Sequence, residues 1–440
     1  MNEEMGKTTE EERRGRRSAG EIVAPHCFVE LIFSPSSKTT QFAVCENGSV
    51  SFVDRYEISA EASLLPYPGS NNLIRHGVIL FPETTEEFGT LSALTDDIHA
   101  FISSYVAVSK TFAEVAAYYV LLSWIHDAYR ELPYLRVRGD YGSGKTRFLQ
   151  VVGSLCYKPI FASGASTVAP LFHTLDAFRG TLVLDEGDFD RSDEKADIVK
   201  ILNNGNAQGF PVLRMEGSRE GYVNPRAFNV FGPKIVATRG DYMDRALESR
   251  FITEDMRSSV YSAGIIPLSL PDSFGDEARR LRNKLLLFRF RMWGQWPAST
   301  QLFEDGVEPR INQVFAPILA IATSASRSEI IRSRMRELEE DLRTHRAMDP
   351  EAQVFEVILK LADGHELPTI SIAAITAEFN RKYQAELGHF ATNKMVGFLV
   401  RRRLQLKTQK SHGVFVIPLS EISKFPALCE RYGLADRQNG

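Results

Sequence analysis

Cysteine is scarce and scattered. Cys27, Cys45, Cys156 and Cys429 share no short spacing, which excludes a disulfide framework and a cysteine-built zinc site and fits a reducing, cytoplasmic setting. Positive charge is not in excess either: 52 Lys plus Arg against 56 Asp plus Glu leave a net −4, so any hold on nucleic acid must be local. Long apolar runs are missing. The strongest, Val115 to Ile125, falls far short of the ~20 residues that span a bilayer and reads as a buried helix, so no membrane association is expected. The first stretch, Met1 to about Gly20, mixes Glu with Arg and Lys without an apolar core, and reads as a disordered tail rather than a secretory signal.

What is present is an ordinary globular composition: 440 residues, 43% hydrophobic and 25% charged, enough for two to four folded units. Residues 21–82 read as a small β-rich region, with Asn47-Gly48 as a hairpin turn. Helical periodicity over 83–131 leads into a segment, 132–270, that alternates apolar strands with helices. Those strands are Tyr134 to Val137, Pro159 to Ala162, Thr181 to Leu184, Lys234 to Thr238 and Arg250 to Thr253. Continuous apolar strands between helices imply a parallel sheet covered on both faces. Residues 271–346 are helical, and 347–440 form a last compact unit.

The strongest motif is Gly139-Asp140-Tyr141-Gly142-Ser143-Gly144-Lys145-Thr146, a glycine-rich phosphate loop placed between a strand and a helix. Its glycines let successive N–H groups turn toward phosphates, and the following helix adds its positive end. Lys145 is suited to the β- and γ-phosphates of ATP, and Thr146 to Mg²⁺. A carboxylate pair, Asp185-Glu186, ends an apolar strand some 40 residues later. Asp185 suits the Mg²⁺ shell and Glu186 the attacking water.

With these motifs the chain resembles the AAA+ ATPases from about Leu132 to Ser326, and in particular the helicase-like ATPases of phages, plasmids and integrated elements, including the ATPase half of primase-helicases. The resemblance implies an α/β, parallel-sheet P-loop AAA+ core with a helical lid. It implies sensor-1 at Thr238. It also implies an arginine finger at Arg250, in Ser249-Arg250-Phe251, acting on a neighbouring subunit, with Arg245 as the substitute. A finger in trans implies a homo-oligomer, as a ring or hexamer. Two strand-like runs about a glycine turn, 209–231, resemble the channel hairpin of such helicases, with Arg214, Arg219 and Arg226 as DNA contacts. Among lid arginines, Arg279, Arg280, Arg282 and Arg310 all compete for the γ-phosphate.

The last unit resembles a winged helix-turn-helix. At about 100° per residue, Ala391, Met395, Phe398 and Leu399 share an apolar arc, and Asn393, Lys394, Gly397 and Arg401 a polar one. With Arg402, Arg403, Lys407 and Lys410 they make the densest basic patch of the chain, suited to DNA. His126, His173 and His365 are isolated and read as structural; Tyr118, Tyr119 and Trp124 read as core. The expected function is ATP hydrolysis coupled to translocation, unwinding or remodelling of DNA in the replication of a mobile element or phage, with a primase or replication protein as a possible partner. A nucleotide-gated DNA switch or loader and a protein-remodelling ATPase are the alternatives.

Overall fold

The computed structural model describes residues 15–187, 193–215, 225–242, 244–256, 266–296, 302–347, 349–363, 369–387, 390–411 and 413–434. The chain divides into two compact units after Met335.

The first unit begins with seven short strands: β1 Gly15–Ser18, β2 Gly20–Ala24, β3 Cys27–Ser34, β4 Thr39–Glu46, β5 Ser49–Val53, β6 Tyr56–Glu57 and β7 Ser63–Pro66. They form an antiparallel sheet β2-β3-β4-β5 and a second sheet β1-β7-β6. Asn47 and Gly48 have φ of +49° and +86°, the pair of positive angles a type I′ turn between β4 and β5 demands. Strand β1 lies inside the stretch expected as tail. Its order comes from parallel pairing with β7, a partner nearly fifty residues away that local composition does not reveal. Helices α1 Asn72–Arg75, α2 Leu91–Tyr105 and α3 Lys110–Trp124 follow. Helix α3 is buried from Phe112 to Trp124, Tyr118 and Tyr119 included, as a helix apolar all round must be.

The central sheet comprises β8 Tyr134–Arg138, β9 Ile160–Ser163, β10 Leu182–Asp185, β13 Lys234–Thr238 and β14 Phe251–Asp255, in the order β14-β8-β13-β10-β9. Every pairing is parallel. The crossovers carry α4 Lys145–Gly153, α5 Val168–Phe178, α6 Asp193–Asn204, a hairpin β11 Val212–Arg214 and β12 Arg226–Phe228, and α7 Arg245–Glu248. Strand alternation divides the sheet's residues between two covered faces. Leu182, Leu184 and Val236 join the core with Leu171, Phe172, Ile198 and Leu202 of α5 and α6. On the opposite face Val183 packs against Gly153 of α4, where a Cβ would come 3.1 Å from its methyls. The loops after β8, β13 and β10 therefore open side by side at one sheet edge.

Helices α8 Phe274–Met292, α9 Pro309–Ile321 and α10 Ala325–Ala347 complete the helical segment. Buried Arg282 of α8 donates to Phe81 O at 3.2 Å and Ser154 O at 2.7 Å. Burial pulls its guanidinium down to about 9. Helix α8 is also tied down by Arg289, which bridges Glu30 of β3 and Asp127 after α3.

The second unit runs α11 Pro350–Asp363, β15 Thr369–Ser371, α12 Ile372–Leu387, α13 Asn393–Phe398, a wider π-turn Leu399–Arg403, β16 Gln409–Ser411, β17 Val414–Pro418 and α14 Phe425–Tyr432. β15, β17 and β16 make an antiparallel sheet in that order. Thr392 caps α13 by accepting from Met395 N. The core gathers Phe355, Ile375, Phe379, Val396, Val400 and Ile417. Ala391 and Leu399 are buried as the helical arc requires, but Phe398 is 52% exposed and Gly397 is buried. Both residues lie in α13 itself, where a 100° wheel centred on buried Val396 puts Gly397, Leu399 and Val400 on one side and Phe398 opposite; an arc anchored on Ala391, which precedes the helix, misassigns both. No helix among the described residues is long and apolar enough to cross a membrane.

Candidate functional site

The phosphate loop leaves the end of β8 and enters α4 at Lys145. Gly142 and Gly144 hold φ of +71° and +95°, angles that side-chain-bearing residues pay to adopt. Ser143 is buried, and its hydroxyl donates to Asp140 O at 2.8 Å. Lys145 Nζ donates to Gly139 O at 2.5 Å and Asp140 O at 2.8 Å, so the ammonium lies along the inside of the loop.

Two strands away, β10 delivers Asp185 to the same edge. Thr146 Oγ1, in the first turn of α4, donates to Asp185 Oδ2 at 2.7 Å. The glycine-rich loop and this carboxylate thus meet at one edge of the parallel sheet. Asp185 Oδ1 also accepts from Glu186 N at 2.9 Å, which fixes the carboxylate plane. Glu186 is exposed and has φ of +54°, an uncommon angle for a residue with a side chain. The turn is held on both sides: Gly187 N donates to Ala237 O at 2.8 Å, and Tyr242 OH donates to Gly187 O at 3.0 Å.

These groups surround a cavity of about 320 Å³ lined by residues 141–147 with Asp185, Glu186 and Arg239. The oxygens of Thr146 and Asp185 are hard donors within bonding distance of one another, a set that fits Mg²⁺, which is held by few protein ligands and takes the rest from phosphates and water. No cluster of three or more His, Cys, Asp or Glu able to hold a metal occurs among the described residues.

The structure does not bring every expected residue to this cavity. Thr238, at the end of β13, is 1% exposed, and its hydroxyl has no hydrogen-bond partner among the described residues. Its carbonyl accepts from Gly139 N at 3.2 Å, which locks β13 to the start of the loop. The next residue, Arg239, lines the cavity instead, its guanidinium 4.1 Å from the ring of exposed Tyr141. Sequence reasoning missed Arg239, although side-chain alternation at a strand end carries the signal that neighbours face opposite ways.

Arg250 sits at the far end of the sheet. Its carbonyl accepts from Tyr134 N, one full strand length before the phosphate loop, about 16 Å at strand rise. Its guanidinium donates to Asn203 O at 2.8 Å and to Asn203 Oδ1, and Asn203 Nδ2 donates to Asp244 Oδ2 at 2.7 Å. Burial, then nearby Arg310, pulls the Arg250 guanidinium below its ordinary range. Arg245 is exposed on α7. Of the lid arginines, Arg279 pairs with Glu83 and Asp276, both at 3.0 Å, Arg310 donates to Gln313 at 2.5 Å, and none of the four lines the cavity.

The predicted hairpin exists as β11 and β12, with Arg214 and Arg226 facing each other across it. Both lean on α5: Arg226 pairs with Asp176 at 3.3 Å, and Arg214 lies 5.4 Å from the Phe172 ring centre. Arg219 lies outside the described residues, as does His365. Among the described residues of this arm, the exposed side chains include Phe210, Leu213 and Met215 beside Arg226. In the second unit Asn393, Lys394, Arg401, Arg402, Arg403, Lys407 and Lys410 are all exposed. His126 is buried, with Nδ1 2.8 Å from Ser123 O, a structural histidine.

No protein-family model and no curated protein matches this sequence. Among solved structures, the chain is similar to the SCCmec type IV Cch helicase, at 11% identity, covering 96% of this chain and 84% of that one, with a TM-score of 0.42. It is similar also to the NrS-1 C-terminal region, at 11% identity over 89% and 96% of the two chains, with a TM-score of 0.38. The JCV helicase matches at 18% identity over 57% and 62%, with a TM-score of 0.25.

Proposed function

We propose that this protein is an oligomeric ATPase that couples ATP hydrolysis to movement on, or remodelling of, DNA in the replication of a mobile element or phage. The observation that carries the reading is the 2.7 Å bond between Thr146 and Asp185 at the mouth of the cavity. It joins the end of a phosphate loop to the end of the strand two places away in the sheet, the meeting point a nucleoside triphosphate and its metal require. Gly139 to Thr146 hold the phosphates. Lys145 exchanges the carbonyls of Gly139 and Asp140 for phosphate oxygens, while Thr146 and Asp185 hold Mg²⁺, which supplies charge neutralisation on the phosphates when bound. Glu186 orients the attacking water and accepts its proton. Thr238, next to cavity-lining Arg239, has a buried hydroxyl with no hydrogen-bond partner among the described residues, and is the sensor in this reading although it does not itself line the cavity.

Arg250 is too far from its own phosphate loop to act there. As a finger it serves the next subunit, which is why an oligomer, as a ring or hexamer, belongs to the proposal. The basic residues of the winged-helix unit, 393–410, hold DNA, and a primase or another replication protein is a fitting partner.

One observation favours a second reading, protein remodelling: the hairpin exposes Phe210, Leu213 and Met215 while Arg226 is paired to Asp176. An arm of that character suits a polypeptide better than a phosphate backbone.

ATP binding and turnover by Lys145→Ala and Glu186→Gln test the hydrolytic half. Lys145→Ala should lose ATP binding. Glu186→Gln should keep it and lose about 100-fold or more in turnover. Wild-type turnover by Glu186→Gln would remove its role.

A further inference from the structure

The cations of the second unit fall into two groups. Lys360 and Arg381 pair with Glu378, Lys382 with Glu356, and Lys424 with Glu421. Lys394, Arg401, Arg402, Arg403, Lys407 and Lys410 are exposed and make no ion pair among the described residues. Arg431 aside, the cations of residues 350–434 that lack an ion pair are gathered between Lys394 and Lys410, and such a concentration of uncompensated charge marks a surface that meets an anion.

That face is also aromatic. Lys394 and Phe398 are four residues apart on α13, hence neighbours on its surface. Phe398 is 52% exposed and Phe415 of β17 is 47% exposed. The Arg401 guanidinium folds back over Gly397, within 3.1 Å of where a Cβ would stand, and lies 5.5 Å from the Phe415 ring centre. Lys410 is the cross-strand partner of Phe415, with Nζ 5.8 Å from the same ring. Cations and rings thus alternate from the helix to the hairpin: Lys394, Phe398, Arg401, Phe415, Lys410.

We propose that this strip binds an unpaired nucleic-acid strand, with bases stacked on Phe398 and Phe415 and phosphates on the flanking cations. The inference rests on the reading that the winged-helix unit holds nucleic acid, and names what it holds. Base faces are hidden inside a duplex, so exposed rings between unpaired cations serve only a strand whose bases are free. Contacts to phosphates alone would leave both phenylalanines without a partner.

Fluorescence anisotropy of the full chain with oligo-dT, oligo-U, the matching duplex and an abasic strand of equal length tests this. Phe398→Ala with Phe415→Ala should weaken oligo-dT binding about ten-fold or more, leave the abasic strand unchanged, and be rescued at 415 by Phe415→Trp. Tighter binding of oligo-U than oligo-dT would make the strand RNA, still unpaired and stacked. Wild-type affinity of the double alanine variant for oligo-dT and oligo-U overturns the stacking inference. If Arg401→Gln with Lys410→Gln then still weakens binding, the nucleic-acid reading survives alone. If neither pair changes binding, both fail.

Discussion

Replacing Arg289 by Met should destabilise the first unit by about 3–5 kcal/mol. Arg289 is 2% exposed. Its Nε donates to Glu30 Oε1 at 2.7 Å, Nη1 to Trp124 O at 2.6 Å and Asp127 Oδ1 at 3.0 Å, and Nη2 to Asp127 Oδ2 at 2.6 Å. Around it two carboxylates, Glu30 and Asp127, face two cations, Arg289 and Lys158, the latter 2.8 Å from Glu30. Methionine keeps the length of the stem but leaves two carboxylates against one cation. Glu30 would retain Lys158 and the Tyr157 hydroxyl at 2.8 Å, whereas Asp127 would retain Trp293 Nε1 at 2.8 Å. An unpaired buried charge is the costly outcome, and Glu30→Gln added to Arg289→Met should recover part of the loss. Urea unfolding followed by tryptophan fluorescence measures both. Acid sharpens the test. Burial pushes the Glu30 carboxyl up, but Lys158 and Arg289 outweigh it and hold it below its ordinary value. Its contribution is therefore present above the unfolded carboxylate's pKa and lost as pH falls through the lower folded one. Without Arg289 the folded pKa rises, so that loss should be smaller and should end at higher pH. A change below about 1 kcal/mol, with an unmoved acid limb, would refute the reasoning.

Thr146→Val removes the donor to Asp185, and should weaken the Mg²⁺ dependence of ATP binding more than metal-free nucleotide binding; equal effects in calorimetry would count against a metal role. Arg250→Ala should bind ATP without turning it over, and mixing it with Lys145→Ala subunits should restore some activity if each defect falls at a different interface. No rescue in co-assembled mixtures would contradict action in trans. Lys234 is fully buried; its Nζ donates to the carbonyls of Gly205, Val230 and Gly232 at 3.0–3.1 Å, and burial pulls it from 10.5 to about 7. Between those pH values the unfolded chain holds a proton that the folded chain releases, so wild-type stability relative to Lys234→Met should rise with pH. A pH-independent difference would refute this.

Local pattern carried the central sheet. Its five strands are short apolar runs whose burial on both faces needs no distant information, and they begin and end within two residues of where the pattern puts them. The loop from Gly139 to Thr146 and the pair Asp185-Glu186 were legible because glycine, lysine and carboxylate are demanded by the backbone and the chemistry at fixed spacing. Three things were not legible. Strand β1 depends on a distant partner. The buried group Glu30, Lys158 and Arg289 is assembled from segments up to 259 residues apart, and each member alone looks like a surface charge. At the end of β13, sequence marks the position of Thr238 and Arg239 but not which side chain turns into the cavity. Phe398 was hidden for a different reason: the apolar arc was anchored on Ala391, which precedes α13, whereas the helix turns Val396, Leu399 and Val400 inward and so leaves Phe398 on the opposite side.

Steady-state ATP turnover by the full chain and by Lys145→Ala, each with no nucleic acid, single-stranded DNA, duplex DNA and RNA across a salt series, tests the central claim most directly. Turnover should require Lys145, rise with DNA, and lose that stimulation as salt increases. Turnover that survives Lys145→Ala, or that ignores every nucleic acid, would contradict a DNA-coupled ATPase.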